Sequence, residues 1–167
     1  MFKIGEVVSY SATGVCEIID IRREKLTDTT MQYYILKPMY QNASTVYVPI
    51  ENETLVSRMK YLLTKEDAED LISSLALNEL EWIENDSERL AFWREILRSG
   101  DRTKIAALIR TLYLRSQHLT SLGKHLRSAD AQIFKEAQSV LHGELATVFD
   151  IPLEEVENFI TEKTAAK

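Results

Sequence analysis

Val7-Val8-Ser9-Tyr10-Ser11-Ala12-Thr13-Gly14-Val15-Cys16-Glu17-Ile18-Ile19-Asp20-Ile21 holds two β-rich runs parted by four turn-forming residues. The second run is β-branched and partly alternating, the pattern of a strand with one buried face. Residues 22–29 are polar and charged, and Lys25, Thr27 and Asp28 predict a loop. Tyr33-Tyr34-Ile35-Leu36-Lys37-Pro38 reads as a third strand, which should end or lie at an edge at Pro38, where the backbone donor is missing. Ser44-Thr45-Val46-Tyr47-Val48-Pro49-Ile50 reads as a fourth, and a fifth short strand is expected near Leu55-Val56. Strands this short and close, with no helix between them, predict an antiparallel meander. A sheet of this size can bury one face by curling into a small barrel.

The period becomes helical from residue 64. Thr64 places a capping hydroxyl before Glu66 and Asp67, acids that favour the positive end of a helix running to about Ser74. Residues 76–85 form a connector that contains Trp82. A second helix is expected over 86–98, stopped at Ser99-Gly100, with Asp101 capping a third. Ile105, Leu108, Ile109 and Leu112 fall at i, i+3, i+4 and i+7, one core-facing stripe. That helix should end between Gln117 and Leu122, with Gly123 as a turn. A fourth helix should run from Ser128 or Asp130 to Phe149, weakened by Gly143 by roughly 1 kcal/mol. Pro152 opens a last helix, and the tail Thr164-Ala165-Ala166-Lys167 is expected to fray. The class is α+β: an antiparallel β-barrel over 1–57 and an all-α domain of about five helices over 58–167. Met59, Tyr61, Leu62 and Leu63 make the junction apolar enough to pack.

The chain of 167 residues has a net charge of −6. Residues 94–128 run against that: Arg94, Arg98, Arg102, Lys104, Arg110, Arg115, Lys124 and Arg127 face only Glu95 and Asp101. A local basic patch on an acidic molecule can meet phosphate while the rest repels it. Solvated helix faces paired with acids explain the same residues equally well. No long apolar stretch follows Met1-Phe2-Lys3-Ile4-Gly5, so neither a secretory signal nor a membrane span is expected. Cys16 is the only cysteine, which suits a reducing, cytoplasmic setting.

An enzyme is not expected. The five glycines are scattered and form no phosphate-cradling loop. His118, His125 and His142 fall in no metal-ligand spacing, and one cysteine supports no zinc cluster, so no catalytic residue, metal or cofactor is assigned. Cys16 is read as a small buried strand residue rather than a nucleophile. Glu66, Glu69 and Asp70 sit where helix starts place acids. Trp93, in Leu90-Ala91-Phe92-Trp93, reads as core. Trp82, in Leu80-Glu81-Trp82-Ile83-Glu84, either pins the connector or anchors a partner. Against DNA such a ring could wedge at a base step.

Phe2-Lys3-Ile4-Gly5-Glu6-Val7-Val8-Ser9-Tyr10, Gly14, Tyr33-Tyr34-Ile35-Leu36-Lys37-Pro38 and Val46-Tyr47-Val48-Pro49 together resemble the RNA-polymerase-interacting domain of the CarD family, shared with the transcription–repair coupling factor. Ser99-Gly100-Asp101, Leu112-Tyr113-Leu114-Arg115 and His142-Gly143-Glu144-Leu145-Ala146 resemble its helical part, so the likeness spans nearly the whole chain. It implies a Tudor/SH3-like barrel that binds the β subunit of RNA polymerase, largely by adding a strand to a sheet edge. It implies helices that touch promoter DNA at the upstream edge of the transcription bubble, through phosphate and shape rather than base sequence. An exposed barrel edge would also permit a strand-swapped dimer.

Carried over residue by residue, the polymerase contacts fall on Arg22 and Arg23 and on Val46-Tyr47-Val48. Tyr47 stands where many relatives carry a basic residue. In the helical part, relatives carry an Asn-Trp pair just before the helix that ends at Ser-Gly-Asp. Here Asn85-Asp86-Ser87-Glu88-Arg89 occupies that stretch, and the wedge position falls at Asp86 with Trp82 four residues earlier. The DNA-facing set is then Trp82, Arg89, Lys124 and Arg127. An acid at the wedge position leaves a second reading open, in which the helices recruit a protein and never meet DNA.

Overall fold

The computed structural model describes residues 1–165. Five strands form one antiparallel sheet: β1 (Val7–Tyr10), β2 (Gly14–Glu24), β3 (Met31–Pro38), β4 (Val46–Pro49) and β5 (Met59–Tyr61), in the order β4-β3-β2-β1-β5. A short helix, α1 (Glu53–Val56), links β4 to β5. Five longer helices follow: α2 (Lys65–Ser74), α3 (Asp86–Ser99), α4 (Arg102–Ser121), α5 (Ser128–Phe149) and α6 (Val156–Ala165). The molecule is an α+β protein with a small Tudor-like antiparallel sheet ahead of a helical bundle. Among the described residues, no helix is long and apolar enough to cross a membrane.

The strands form where the alternation demands. Val8, Cys16, Ile18, Tyr34, Leu36 and Val48 turn inward and meet Met59 in a single apolar cluster. The turn between β1 and β2 needs unusual backbone, with Ser11 at φ 48° and Gly14 at φ 80°. β2 pairs with β3 from Cys16↔Pro38 to Glu24↔Met31, with a bulge between Ile18 and Asp20. The extra residue, Ile19, breaks the ladder and re-aims the outer half of β2. β3 ends at Pro38, as the missing donor requires.

Two expectations change. Residues 22–24 belong to β2 and not to a loop, because each is matched by a β3 residue as far as Met31. Leu55-Val56 is helical, not a strand: Asn52 Oδ1 caps α1 by accepting from Leu55 N at 3.1 Å. The fifth strand is Met59–Tyr61, which pairs with β1 and carries the sheet past residue 57.

Two helices begin on the predicted caps Thr64 and Asp101, and α3 begins on Asn85, which the sequence reading did not name as a cap. Thr64, Asn85 and Asp101 each accept from a backbone N–H three residues on, and Gly100 closes α3 in the left-handed region. Trp93, Leu97, Ile105, Leu108, Leu112 and Leu145 are the centre of the helical core. α6 includes Thr164 and Ala165, which were expected to fray; Ala166 and Lys167 lie outside the described residues.

Sheet and bundle meet through a packed, hydrogen-bonded junction. Ser11 Oγ donates to Arg98 O at 2.7 Å, and Lys60 Nζ donates to Ser99 O and Gly100 O at 3.2 and 3.3 Å. Arg102 donates to Tyr61 O at 2.7 Å and pairs with Glu144, which also accepts from Leu63 N at 3.0 Å. Glu144 is 1% exposed, so this ion pair is sealed into the junction. Gly143 lies against the Tyr40 ring: a Cβ there would stand 3.1 Å from Cδ2. The Tyr40 hydroxyl in turn meets Thr147 Oγ1 at 2.9 Å. The glycine that weakens α5 as a helix therefore makes room for a sheet-side aromatic ring.

Candidate functional site

Three features of the sheet are available to a partner. β4 pairs with β3 on one side, and no strand lies on its other side among the described residues. Its unpaired backbone groups are a template for one more strand. β2 beyond Ile18 likewise has β3 alone as neighbour, since Ile18 makes the last ladder contacts with Gly5 and Glu6. Third, the register places Arg22 opposite Tyr33, and Ile35 opposite both Asp20 and Tyr47. Opposed residues share a face, so Arg22 and Tyr47 stand on one outer face with Tyr33 between them. The Tyr33 and Tyr47 rings meet edge-on with centroids 6.0 Å apart.

The five residues assigned to polymerase therefore divide. Arg22 and Tyr47 share the outer face. Arg22 is held by Asp20 at 3.1 Å and Glu24 at 2.6 Å, so part of its charge is already matched. Arg23 lies at the rim of the opposite face, opposed to Gln32 and exposed. Val46 packs against the barrel core, and Val48 is completely buried in it. Val48 offers a partner neither its side chain nor its backbone: Ile50 N donates to Gln32 O, and the alternation of an antiparallel ladder then turns the Val48 backbone toward Tyr34 and leaves the outward backbone groups to Tyr47, which corrects the reading of Val48 as a contact.

The second site lies in the helical unit, where the connector crosses the starts of α3 and α5. Trp82 is half-buried and packs edge-on against Trp93, centroids 5.4 Å apart. The guanidinium carbons of Arg89 and Arg115 lie 4.7 and 4.6 Å from its ring centroid. Such cation–π contacts are worth about 0.5–2 kcal/mol each, depending on exposure. Trp82, Arg115, Lys124 and Arg127, with Asp86 and Asp130, line a cleft of about 280 Å³. Lys124, His125 and Arg127 are exposed at its mouth.

Charge in this cleft is ordered by two helix starts set side by side. α3 opens with Asp86 and, three residues on, Arg89. At the start of α5 the order is reversed, with Arg127 followed by Asp130. The pairs cross: Arg89 takes Asp130 through both Nη2 bonds at 3.1 Å, and Arg127 takes Asp86. Arg89 Nη1 also reaches Asp86 at 2.9 Å and donates to Ile83 O at 3.1 Å. The Arg89 and Asp130 side chains are each 4% exposed, so this is a buried ion pair with its donors largely satisfied.

Arg89 is consequently not a surface cation. Its assignment to DNA is corrected: the guanidinium is spent on Asp130, Asp86 and the connector backbone, and it holds Trp82 in place. Trp82 does what the pinning reading expected and also borders the cleft with Lys124 and Arg127. Arg115 belongs to the site although it was not singled out. Its only sequence signal was membership of the basic segment, because 33 positions separate it from Trp82. Asp86, at the wedge position, is matched by two arginines and presents little unpaired charge. Cys16 is fully buried, and burial pushes its thiol up to about 12, so it is no thiolate nucleophile at neutral pH.

An open-edged Tudor-like sheet fused to a bundle with a cationic cleft defines a class of docking and regulatory protein. Residues 2–60 match the CarD-like/TRCF RID domain, and residues 70–161 match the CarD C-terminal domain. The chain belongs to the CarD family, and is thereby an RNA-polymerase-interacting transcription regulator.

Proposed function

We propose that the protein docks on the β subunit of RNA polymerase by strand addition and sets the lifetime of promoter open complexes through weak, non-sequence-specific contact with DNA upstream of the bubble. The observation that carries the docking step is the unpaired outer edge of β4. Tyr47 lies on that edge strand and supplies aromatic area, while Arg22, two strands away on β2, adds a guanidinium to the same outer face. The DNA step rests on Arg115, Lys124 and Arg127 around Trp82: cations on an aromatic floor, suited to phosphate contact. Trp82 contributes by fixing Arg115, since its ring is already engaged by two guanidinium groups.

Two measurements on the full chain test this. Tyr47→Ala should weaken binding to a β-subunit fragment about tenfold; unchanged affinity would move the dock away from β4. Trp82→Ala should shorten open-complex lifetime on a promoter without changing polymerase affinity. An unaltered lifetime would remove the cleft from the DNA path. Light scattering of the free chain reports whether the same edge forms a strand-swapped dimer.

A second reading is favoured by Asp86, which neutralises Arg127. In it the docked protein is an adaptor whose helices recruit another protein. Salt separates the two. Phosphate contact makes affinity for polymerase–promoter complexes fall by about one log–log unit per phosphate neutralised; an adaptor gives the same slope with and without DNA.

A further inference from the structure

We infer that the cleft between the end of α2 and helices α4, α5 and α6 binds a small carboxylate with an apolar body. The cleft holds about 240 Å³ and lies on the helical unit, apart from the cationic cleft around Trp82. Its walls are mostly apolar: Leu75, Ile109, Tyr113, Leu141 and Ile160 contribute. Clefts that hold drug-sized ligands span about 300–1,000 Å³, so this one suits a smaller molecule.

What marks it is Arg110. Three arginines turn inward in the helical unit. Arg89 has Asp130, and Arg102 has Glu144. Arg110 has no carboxylate: its Nε is buried and meets no hydrogen-bond partner. A buried donor without an acceptor is rare in folded proteins and calls for an explanation. Nε itself is closed off, whereas the two Nη are not among the buried unpartnered atoms, and their outer edge fits a carboxylate with two parallel bonds. An apolar wall next to an unmatched fork is the arrangement that recognises an acid carrying a hydrocarbon or aromatic body.

Two further groups refine the ligand. His142 lines the cleft, and burial lowers its pKa despite the opposing pull of Glu157. It therefore faces a ligand as a neutral imidazole that can donate or accept. Glu157 lines the same cleft on α6 and makes no ion pair with Arg110 among the described residues. A plain apolar acid uses Arg110 alone, whereas an apolar amino acid also places its ammonium near Glu157. Both sources share the carboxylate and the apolar body. The inference stands independently of the polymerase and DNA readings.

Isothermal titration of the full chain with hexanoate, L-leucine and hexylamine decides it. At least one of the two acids should bind, and hexylamine, which lacks the carboxylate, should not. Arg110→Gln should weaken the binding acid tenfold or more. Should that variant fold poorly by circular dichroism, Arg110→Lys, which keeps the charge and loses the fork, should still weaken it several-fold. Glu157→Gln sorts the sources: it should lower affinity for L-leucine and raise it for hexanoate. The inference is overturned if neither acid binds at about 10 mM, where even millimolar affinity is visible. Equal binding of an acid to Arg110→Gln, or of hexylamine to the wild type, overturns it as well.

Discussion

The sheet buries Val8, Ile18, Leu36 and Val48 with no ionised side chain among its core residues, whereas the helical unit buries Arg89 against Asp130 and seals Glu144 beside Arg102. The difference follows from what each unit has to fix. Strand pairing sets the sheet's geometry through backbone hydrogen bonds, and side-chain alternation does the rest. Helices satisfy their own backbones and can slide or rotate against one another, so specific charged pairs set which helix start lies beside which. Recognition follows the same split. In the proposed mode of action the sheet offers a partner mainly the β4 backbone and the aromatic area of Tyr47, which depend little on salt. The helices offer charge, which salt screens.

The sharpest way to break this contrast is Arg89→Ala. It leaves Asp130 buried without a partner and also frees Trp82 and the connector. The expected loss is about 3–5 kcal/mol of stability, read by urea unfolding. A loss below about 1 kcal/mol would show that the crossed pairs are not what fixes the helix starts. Next in size is the salt response of polymerase–promoter complexes. Lys124→Ala should reduce the salt slope by about one unit. Arg127→Ala should reduce it by less, because Asp86 already holds Arg127. Tyr47→Ala should change affinity and leave the slope alone; a changed slope there would erase the split between the units.

His142 gives a pH signature. Burial lowers its pKa in the folded chain below the usual value of about 6.5. Between the folded and unfolded values the unfolded chain binds more protons. Stability is therefore complete above about pH 6.5 and falls as pH drops toward the folded value, at most about 1.4 kcal/mol per pH unit. Thermal unfolding between pH 7.5 and pH 5 should show this slope, and His142→Gln should flatten it. The smallest effect belongs to Gly143→Ala. Alanine favours the helix by about 1 kcal/mol, but its methyl would press on a Tyr40 ring anchored through Thr147. Crowding of this kind costs about 1–3 kcal/mol, so a net loss of about 1 kcal/mol is expected. A net gain would mean that the ring gives way and that the junction is softer than its hydrogen bonds suggest.

What can be read along the chain is what local physics encodes. The β-branched, partly alternating run Val15–Ile21 and the short apolar run Tyr33–Pro38 specified strands, and the spacing of Ile105, Leu108, Ile109 and Leu112 specified a helix and its inner face. Thr64 and Asp101 marked helix starts because a cap bonds to a backbone only three residues away. The misreadings came where local cues compete with pairing. Charged Arg22-Arg23-Glu24 looks like a loop until β3 is there to match it. Leu55-Val56 looks like a strand until the Asn52 cap turns it into a helix.

The sites needed more than the sequence. Arg89 meets Asp130, and Asp86 meets Arg127, across 41 positions in each case. No period or spacing encodes such a partnership, because it exists only once α3 and α5 are packed side by side. The sequence alone set the two-part layout, the type of the long strands and helices and the basic character of residues 94–128. Tertiary packing decided which of those cations stay free. Burial makes an unmatched charge costly, so Arg89 and Arg102 each take a carboxylate as they turn inward, and those left at the surface remain available to a partner.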